Sequence, residues 1–233
     1  MKTIILSGGR GYRLKEKTEW IPKPMITIGG KPILWHIMKI YAHYGFSDFI
    51  VALGYRGDHI SKFFRNRNDD GFNITFVDTG LETLPGERVL RVKDYIDGDE
   101  FMLTYGDGVS DINIAELVTF HERQKTIGTI TGVHPRTSYG LVKILEGNKV
   151  TKFVEKPVLS EWVSGGFMVF RKDALSYFRK GEMEHPALIR LTKDRQLSLY
   201  RHKGFWYAMD TYRDMEQLNK LWKQHAPWKV WKE

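Results

Sequence analysis

Apolar positions in the first half of the chain switch repeatedly between short continuous runs and a helical spacing. Lys2 to Leu6 is a run of the kind that predicts a buried strand. Ile33, Leu34, Ile37, Tyr41 and Tyr44 then fall on one helical face, with Pro32 near the helix start. Phe49 to Leu53 predicts the next strand, closed by Gly54, and a helix follows from Asp58 to Arg65. Asn73 to Val77 predicts a third strand. Val89, Val92 and Ile96, spaced by three and four, predict a helix over Glu87 to Ile96. Phe101 to Tyr105 reads as a strand that runs into Gly106-Asp107-Gly108, and Ile114 to Gln124 as a helix with Leu117 and His121 on one side. Strands alternating with helices predict a three-layer α/β/α fold with a mainly parallel central sheet.

The pattern changes in the second half. Thr126 to Val133, Leu141 to Leu145, Lys149 to Val154 and Gly166 to Phe170 predict four short strands, with Gly147-Asn148 as a hairpin turn. A short helix from Asp173, a helix over Pro186 to Thr192, a strand at Leu197 to Tyr200 and a final helix from Tyr212 follow. Met215, Leu218 and Trp222 share one face of that last helix, as a core stripe would. Trp228 and Trp231 in the tail predict docking on the body or on another subunit. His36 and His43, seven residues apart on a helix, read as packing or surface residues.

Composition removes several classes. There is no cysteine, so disulfides, thiolate metal sites and thiol nucleophiles are excluded. The histidines show no His-x-x-x-His pair, which argues against zinc, and Gly-x-Ser-x-Gly is absent. No apolar run approaches the roughly 20 residues of a membrane span, so no membrane partner is expected. The N-terminus lacks the apolar length and cleavage site of a signal peptide, and the simplest compartment is the cytoplasm. The net charge of +8 and pI of about 9.4 suit anionic partners. The basic residues are spread along the chain, however, and no basic and aromatic cluster matches an RNA module, so nucleic acid is not an expected partner.

Candidate chemistry sits where the predicted strands end. In open α/β sheets ligands bind beyond the carboxyl ends of the strands, and two glycine loops, after Leu6 and after Tyr105, fall at such ends. The first reads Leu6-Ser7-Gly8-Gly9-Arg10-Gly11-Tyr12-Arg13-Leu14. Its glycines let the backbone turn sharply and approach a ligand, and its successive N–H groups can form an anion nest. Arg13 adds a fork suited to phosphate oxygens. Further on comes Pro22-Lys23-Pro24-Met25, where two prolines stiffen the backbone that aims the lysine. This is neither the Walker loop nor the dinucleotide fingerprint.

The loop followed by Pro-Lys-Pro-Met resembles the sugar-phosphate nucleotidyltransferases, and within them the glucose-1-phosphate cytidylyltransferases. The likeness runs nearly end to end, through Ile28 to Lys39, Val77-Asp78-Thr79-Gly80, Thr104 to Val109, Glu155-Lys156-Pro157, Gly165-Gly166-Phe167, Met209-Asp210-Thr211 and Ala226 to Lys229. The resemblance implies a Rossmann-like nucleotidyltransferase fold in one domain. Residues 1–125 would be its nucleotide half, 126–210 a β-rich acceptor half and 211–233 a helical tail. It implies CTP and a small phosphorylated acceptor as substrates, Mg²⁺ as cofactor, and a possible homo-oligomer. Arg13, Lys23 and Asp107 would be catalytic, and Asp107 and Asp210 would hold the metal, a hard cation suited to carboxylates. Leu6, Gly8, Gly9, Gly11, Tyr12, Arg13, Lys23, Thr79, Gly80 and Gly106 would line the nucleotide site. Gly140, Glu155, Lys156, Gly166 and Glu184 would meet the acceptor.

The chain also departs from the pattern. Tyr12 stands where the resembling loop usually has threonine, and Ser164 where the glucose enzymes tend to have asparagine. Pro85-Gly86-Glu87-Arg88 replaces two adjacent glycines before arginine, and about twenty residues are missing around Asn68 to Asn73. The positions near Ser164 and Glu184 would lie close to the acceptor's hydroxyls. Glucose 1-phosphate is thus the first expected acceptor, with another sugar, a polyol or a phosphorylated amino acid such as phosphoglutamine as alternatives. A catalytically silent nucleotide-binding regulator is a further alternative.

Overall fold

The computed structural model describes residues 1–11, 14, 19–66 and 70–232. Tyr12 and Arg13 lie outside the described residues, as do Asn68 and Asp69 of the shortened stretch. In the first half, strands β1 (Lys2–Ser7), β2 (Thr27–Ile28) and β3 (Lys31–Pro32) precede helix α1 (Ile33–His43). Then come β4 (Asp48–Leu53), α2 (Gly57–Arg65), β5 (Asn73–Asp78), α3 (Pro85–Arg91), β6 (Glu100–Tyr105), β7 (Gly108–Ser110) and α4 (Ile114–Gln124). The second half holds β8 (Gly128–Val133), β9 (Leu141–Ile144), β10 (Val150–Val154), β11 (Val163–Arg171), α5 (His185–Lys193), β12 (Leu197–Arg201), β13 (Trp206–Ala208) and α6 (Tyr212–Gln224).

Seven strands form the central sheet in the order β12-β8-β11-β6-β1-β4-β5. All neighbours are parallel except β11, which runs antiparallel to both β6 and β8. Alternation along each strand sends side chains to two separate cores. Ile5, Val51, Met102 and Val169 pack with α1, α2 and α4 on one face. Ile4, Ala52, Leu103 and Phe170 pack with α3 and α5 on the other. The expected three layers are therefore present. One expectation changes: β8, β11 and β12 join the central sheet, so the sheet runs through both halves of the chain. Outside it, β2 pairs with β3 and β7 with β13, and β9 and β10 form a two-stranded ribbon whose Val142, Ile144, Val150 and Phe153 are all exposed. The turn between them carries Gly147 at φ 79° and Asn148 at φ 63°, the left-handed backbone that a Gly-Asn pair accommodates. The helix expected over Glu87 to Ile96 starts two residues earlier, on Pro85, and tightens after Arg91 into a 3-10 turn at Lys93–Tyr95.

The tail docks on its own chain. Trp228 is fully buried, and its Nε1 donates to Nδ1 of His36 at 3.3 Å. The imidazole must then carry its proton on Nε2, which donates to the carbonyl of Ile28 at 2.9 Å. Rings of Trp35, Trp222, Trp228 and Trp231 surround this histidine. A second proton would set an N–H against the Trp228 N–H. Burial is the main cause that lowers the His36 pKa, to about 4, with the nearby Lys31 charge adding to it.

Because the folded pKa lies below the unfolded value of 6.5, the unfolded chain binds more protons between those two values. The stability contributed by neutral His36 should be complete above pH 6.5 and fall away as the pH drops toward 4. The expected loss is on the order of 3 kcal/mol. Urea midpoints measured across this range check it, and a His36→Gln chain should lose stability less steeply.

Candidate active site

The sheet's strand order places the site. The chain runs outward from β1 to β4 and β5, then returns to lay β6 on the other side of β1. The crevice at such a reversal is where open parallel sheets bind ligands, and the first glycine loop leaves β1 at that point. Gly106 N donates to the Leu6 carbonyl at 3.2 Å, which joins the two glycine loops.

Lys23 enters this crevice on a single 3-10 turn, Lys23–Met25, anchored by buried Pro24. Asp107 lies between β6 and β7. Asp210 arrives from the far end of the chain, because β13 pairs antiparallel with β7 and sets Ala208 opposite Gly108. The Met209 N–H extends that pairing to the Asp107 carbonyl at 2.9 Å, bringing the two aspartates side by side. The cap of α6 is Thr211, whose side chain and that of Asp214 form a reciprocal capping box, so the Asp210 carboxylate is not the cap. Lys23 Nζ donates to Asp107 Oδ2 at 2.6 Å and to Asp210 Oδ1 at 2.8 Å. Burial by itself lowers the pKa of this ammonium. The two carboxylates outweigh that effect, and the net shift is upward, so Lys23 is a cation at neutral pH.

A cavity of about 200 Å³ opens beside this triad, lined among others by Tyr105, Asp107, Ser164, Trp206 and Asp210. Its wall is tightly specified. Gly166 has φ 79°, and a Cβ there would lie 2.5 Å from the Tyr105 ring. The Tyr105 hydroxyl donates to Glu184 Oε1 at 2.8 Å. Burial, reinforced by the negative charge of Glu184, drives the Tyr105 pKa up, so the phenol keeps its proton. The other oxygen of Glu184, Oε2, is buried with no hydrogen-bond partner.

The expected site residues fall into three groups. Leu6, Gly8, Gly9, Gly11, Lys23, Gly106, Asp107 and Asp210 meet at the crevice. Gly166 and Glu184 sit around Tyr105, which sequence reasoning did not single out. Gly140, Glu155 and Lys156 lie at the base of the exposed ribbon, with Lys156 Nζ 3.4 Å from Glu155 Oε1. Thr79 is fully buried and its hydroxyl bonds to the Leu53 carbonyl and to Arg88. Arg88, also not singled out for a role, is buried beneath these loops. It stands four residues before Val92 and eight before Ile96, a helical spacing that marks it as inward-facing.

A family model described as nucleotidyl transferase matches residues 2–226. The chain belongs to that family. A glucose-1-phosphate cytidylyltransferase of Salmonella typhimurium is 38% identical over 257 residues, covering 99% of this chain and all of that one. A mannose-1-phosphate guanyltransferase of Gibberella zeae is 29% identical and covers 92% of this chain and 62% of its own. The crystal structure of HddC from Yersinia pseudotuberculosis superposes with a TM-score of 0.74 at 23% identity, covering 94% of this chain and 98% of that one, which bears out the fold. Among the described residues, no helix is long and apolar enough to cross a membrane.

Lys23 is a cation held at the strand ends between two carboxylates. Lys23→Ala should lower kcat by roughly 10² to 10³, with the circular dichroism spectrum unchanged. Wild-type turnover by that variant would remove Lys23 from the reaction. Gly166→Ala must both hold a strained backbone and displace the Tyr105 ring, and should cost about 1–3 kcal/mol in a urea titration.

Proposed function

We propose that the chain joins CTP and a sugar 1-phosphate, glucose 1-phosphate first among them, to give a CDP-sugar and pyrophosphate. The observation that carries this reading is the ammonium of Lys23 held between Asp107 and Asp210 at the sheet's reversal, beside a small cavity. Full-length similarity to glucose-1-phosphate cytidylyltransferases supports the base and the acceptor class. A phosphate oxygen of the acceptor attacks the α-phosphorus of the nucleotide, the bond from that phosphorus to the bridging oxygen breaks, and pyrophosphate leaves. Such a transfer depends on positioning and charge neutralisation more than on covalent catalysis.

The glycine loop would cradle the phosphates with its N–H groups, and Lys23 would neutralise them, aided by Arg13. Asp107 and Asp210 would hold Mg²⁺. Both carboxylates converge on one nitrogen within 2.8 Å, an all-oxygen donor pair suited to a hard cation. Among the described residues no cluster of three or more acidic or histidine side chains forms, so phosphate and water would complete the coordination. When bound, that ion would polarise the phosphates and neutralise developing charge. Lys23 would then trade its carboxylate contacts for phosphate oxygens. The cavity side of the site would receive the acceptor, with Ser164 in its wall. Serine there favours a second reading of the acceptor, in which another sugar, a polyol or a phosphorylated amino acid takes the place of glucose 1-phosphate.

Pyrophosphate release with Mg²⁺, each nucleoside triphosphate paired with a panel of sugar, polyol and amino-acid phosphates, checks both choices. Release with CTP and glucose 1-phosphate is expected. Release with CTP and a different phosphate moves the acceptor, and release only with another nucleotide sinks the cytidylyl assignment. Asp107→Asn and Asp210→Asn should each raise the Mg²⁺ concentration needed for half-maximal rate.

A further inference from the structure

We propose a second cation site, outside the active crevice: His134 and His202 hold a borderline divalent metal ion such as Zn²⁺ in a cavity at the ends of β8 and β12. The two histidines lie far apart in the sequence, so no His-x-x-x-His spacing announces them. The sheet brings them together. β8 and β12 are parallel neighbours, and the His202 N–H extends their pairing to the Gly132 carbonyl at 2.9 Å. Neighbouring strands lie roughly 5 Å apart, so His134, just beyond Gly132, leaves the sheet beside His202. Both rings line one cavity of about 520 Å³, which Val158, Leu159 and Ser160 also line. That segment is fixed to the chain after β8 by the Leu159 N–H, which donates to the Pro135 carbonyl at 3.0 Å.

Hydrogen bonds decide what the two rings offer. His202 Nε2 lies 2.9 Å from Asp111 Oδ1 and 3.2 Å from the Phe205 carbonyl. A carboxylate and a carbonyl both accept, so Nε2 carries the proton and Nδ1 of the neutral ring is a lone pair. His134 is the converse case. Its Nδ1 lies 3.1 Å from the Glu161 carbonyl, so Nδ1 donates and Nε2 is the lone pair. Among the described residues neither remaining nitrogen has a partner, and neither is sealed from solvent. Two nitrogen acceptors on one cavity suit a cation rather than an anion. A ring whose far N–H is held by a carboxylate or a backbone carbonyl is the form in which proteins present imidazole to a metal, because the contact fixes the tautomer and raises the basicity. The rings are also held in place. The Trp162 and His134 ring centroids are 3.8 Å apart, and a Cβ on Gly204 would lie 2.4 Å from Asp111 Oδ1 and 2.8 Å from His202 Cε1, so the loop closes over the dyad only as glycine. Imidazole selects zinc, nickel or copper over magnesium, which separates this site from the Asp107 and Asp210 pair. Among the described residues no third acidic or histidine side chain completes the set, so water would fill the remaining positions.

The site does not depend on which substrates the chain joins, and its test needs no turnover. The full chain, without an affinity tag, is titrated calorimetrically with Zn²⁺ at neutral pH, with Mg²⁺ in excess to compete at sites made of carboxylates alone. Stoichiometric binding is expected, together with a rise in Tm, since the ion binds the folded chain. His134→Ala and His202→Gln should each weaken Zn²⁺ binding by about 10-fold or more and shrink the rise in Tm. Asp111→Asn removes the carboxylate behind His202 at nearly constant shape and should weaken binding roughly 10- to 100-fold. His59→Ala, on α2, should bind as wild type does. His134 packs at the surface of the cavity, and its variant serves where those of His202 and Asp111 do not fold. Failure of wild type to take up Zn²⁺ stoichiometrically, or wild-type affinity in the His134, His202 or Asp111 variant, overturns the site. An equal loss in His59→Ala marks binding scattered over surface histidines and overturns it as well.

Discussion

One ammonium group ties together residues that are far apart in the chain. Lys23 reaches Asp107 across 84 positions and Asp210 across 187, and both contacts are shorter than 3 Å. Each partner arrives by a different route: a proline-stiffened turn, a loop at the end of a central strand, and a hairpin-like pairing of two three-residue strands. Three like or unlike charges this close are stable only in one arrangement. Two carboxylates alone would repel, and a partly buried ammonium alone would be costly. The triad therefore constrains the loops around it as much as it serves them, and the cavity next to it inherits that definition.

The loops at the neighbouring strand ends show the same logic with neutral partners. The sheet buries apolar faces on both sides, and its strand ends present carbonyls and N–H groups that no longer have ladder partners. Buried polar groups must be satisfied. Here one side chain, Arg88, takes the carbonyls from three successive loops. The wall around Tyr105 relies instead on a phenol and a carboxylate, Tyr105 and Glu184, with a glycine at φ 79° leaving room for the ring. Rigid strands thus carry loops that are held by a handful of polar contacts, a division that gives precision to irregular backbone.

The long periodic elements were legible in the sequence because burial imposes a period, and nearly all central strands and helices lie where the apolar spacing puts them. The glycine loop, Lys23 and both aspartates were legible as motifs. What escaped was long-range pairing of very short segments. Nothing in Trp206-Tyr207-Ala208 says that it pairs with Gly108-Val109-Ser110, and that pairing is what delivers Asp210. Arg88 escaped for a different reason: its partners are mostly backbone carbonyls, which leave no mark on side-chain identity. Thr211 and Asp214 did carry a readable capping pattern. The division into a nucleotide half and a β-rich half followed a change in element pattern, while the sheet itself ignores that change.

The docking of Trp228 on His36 has a consequence for synthesis. Chains emerge from the ribosome amino end first, and the strands, both glycine loops and Lys23 all appear early. Yet the pocket around His36 stays open until Trp228 fills it, and Lys23 lacks its second carboxylate until Asp210 is made. A nascent chain can therefore collapse around its sheet without possessing a finished site. Both closing contacts arrive late, once Asp210 and Trp228 have been made.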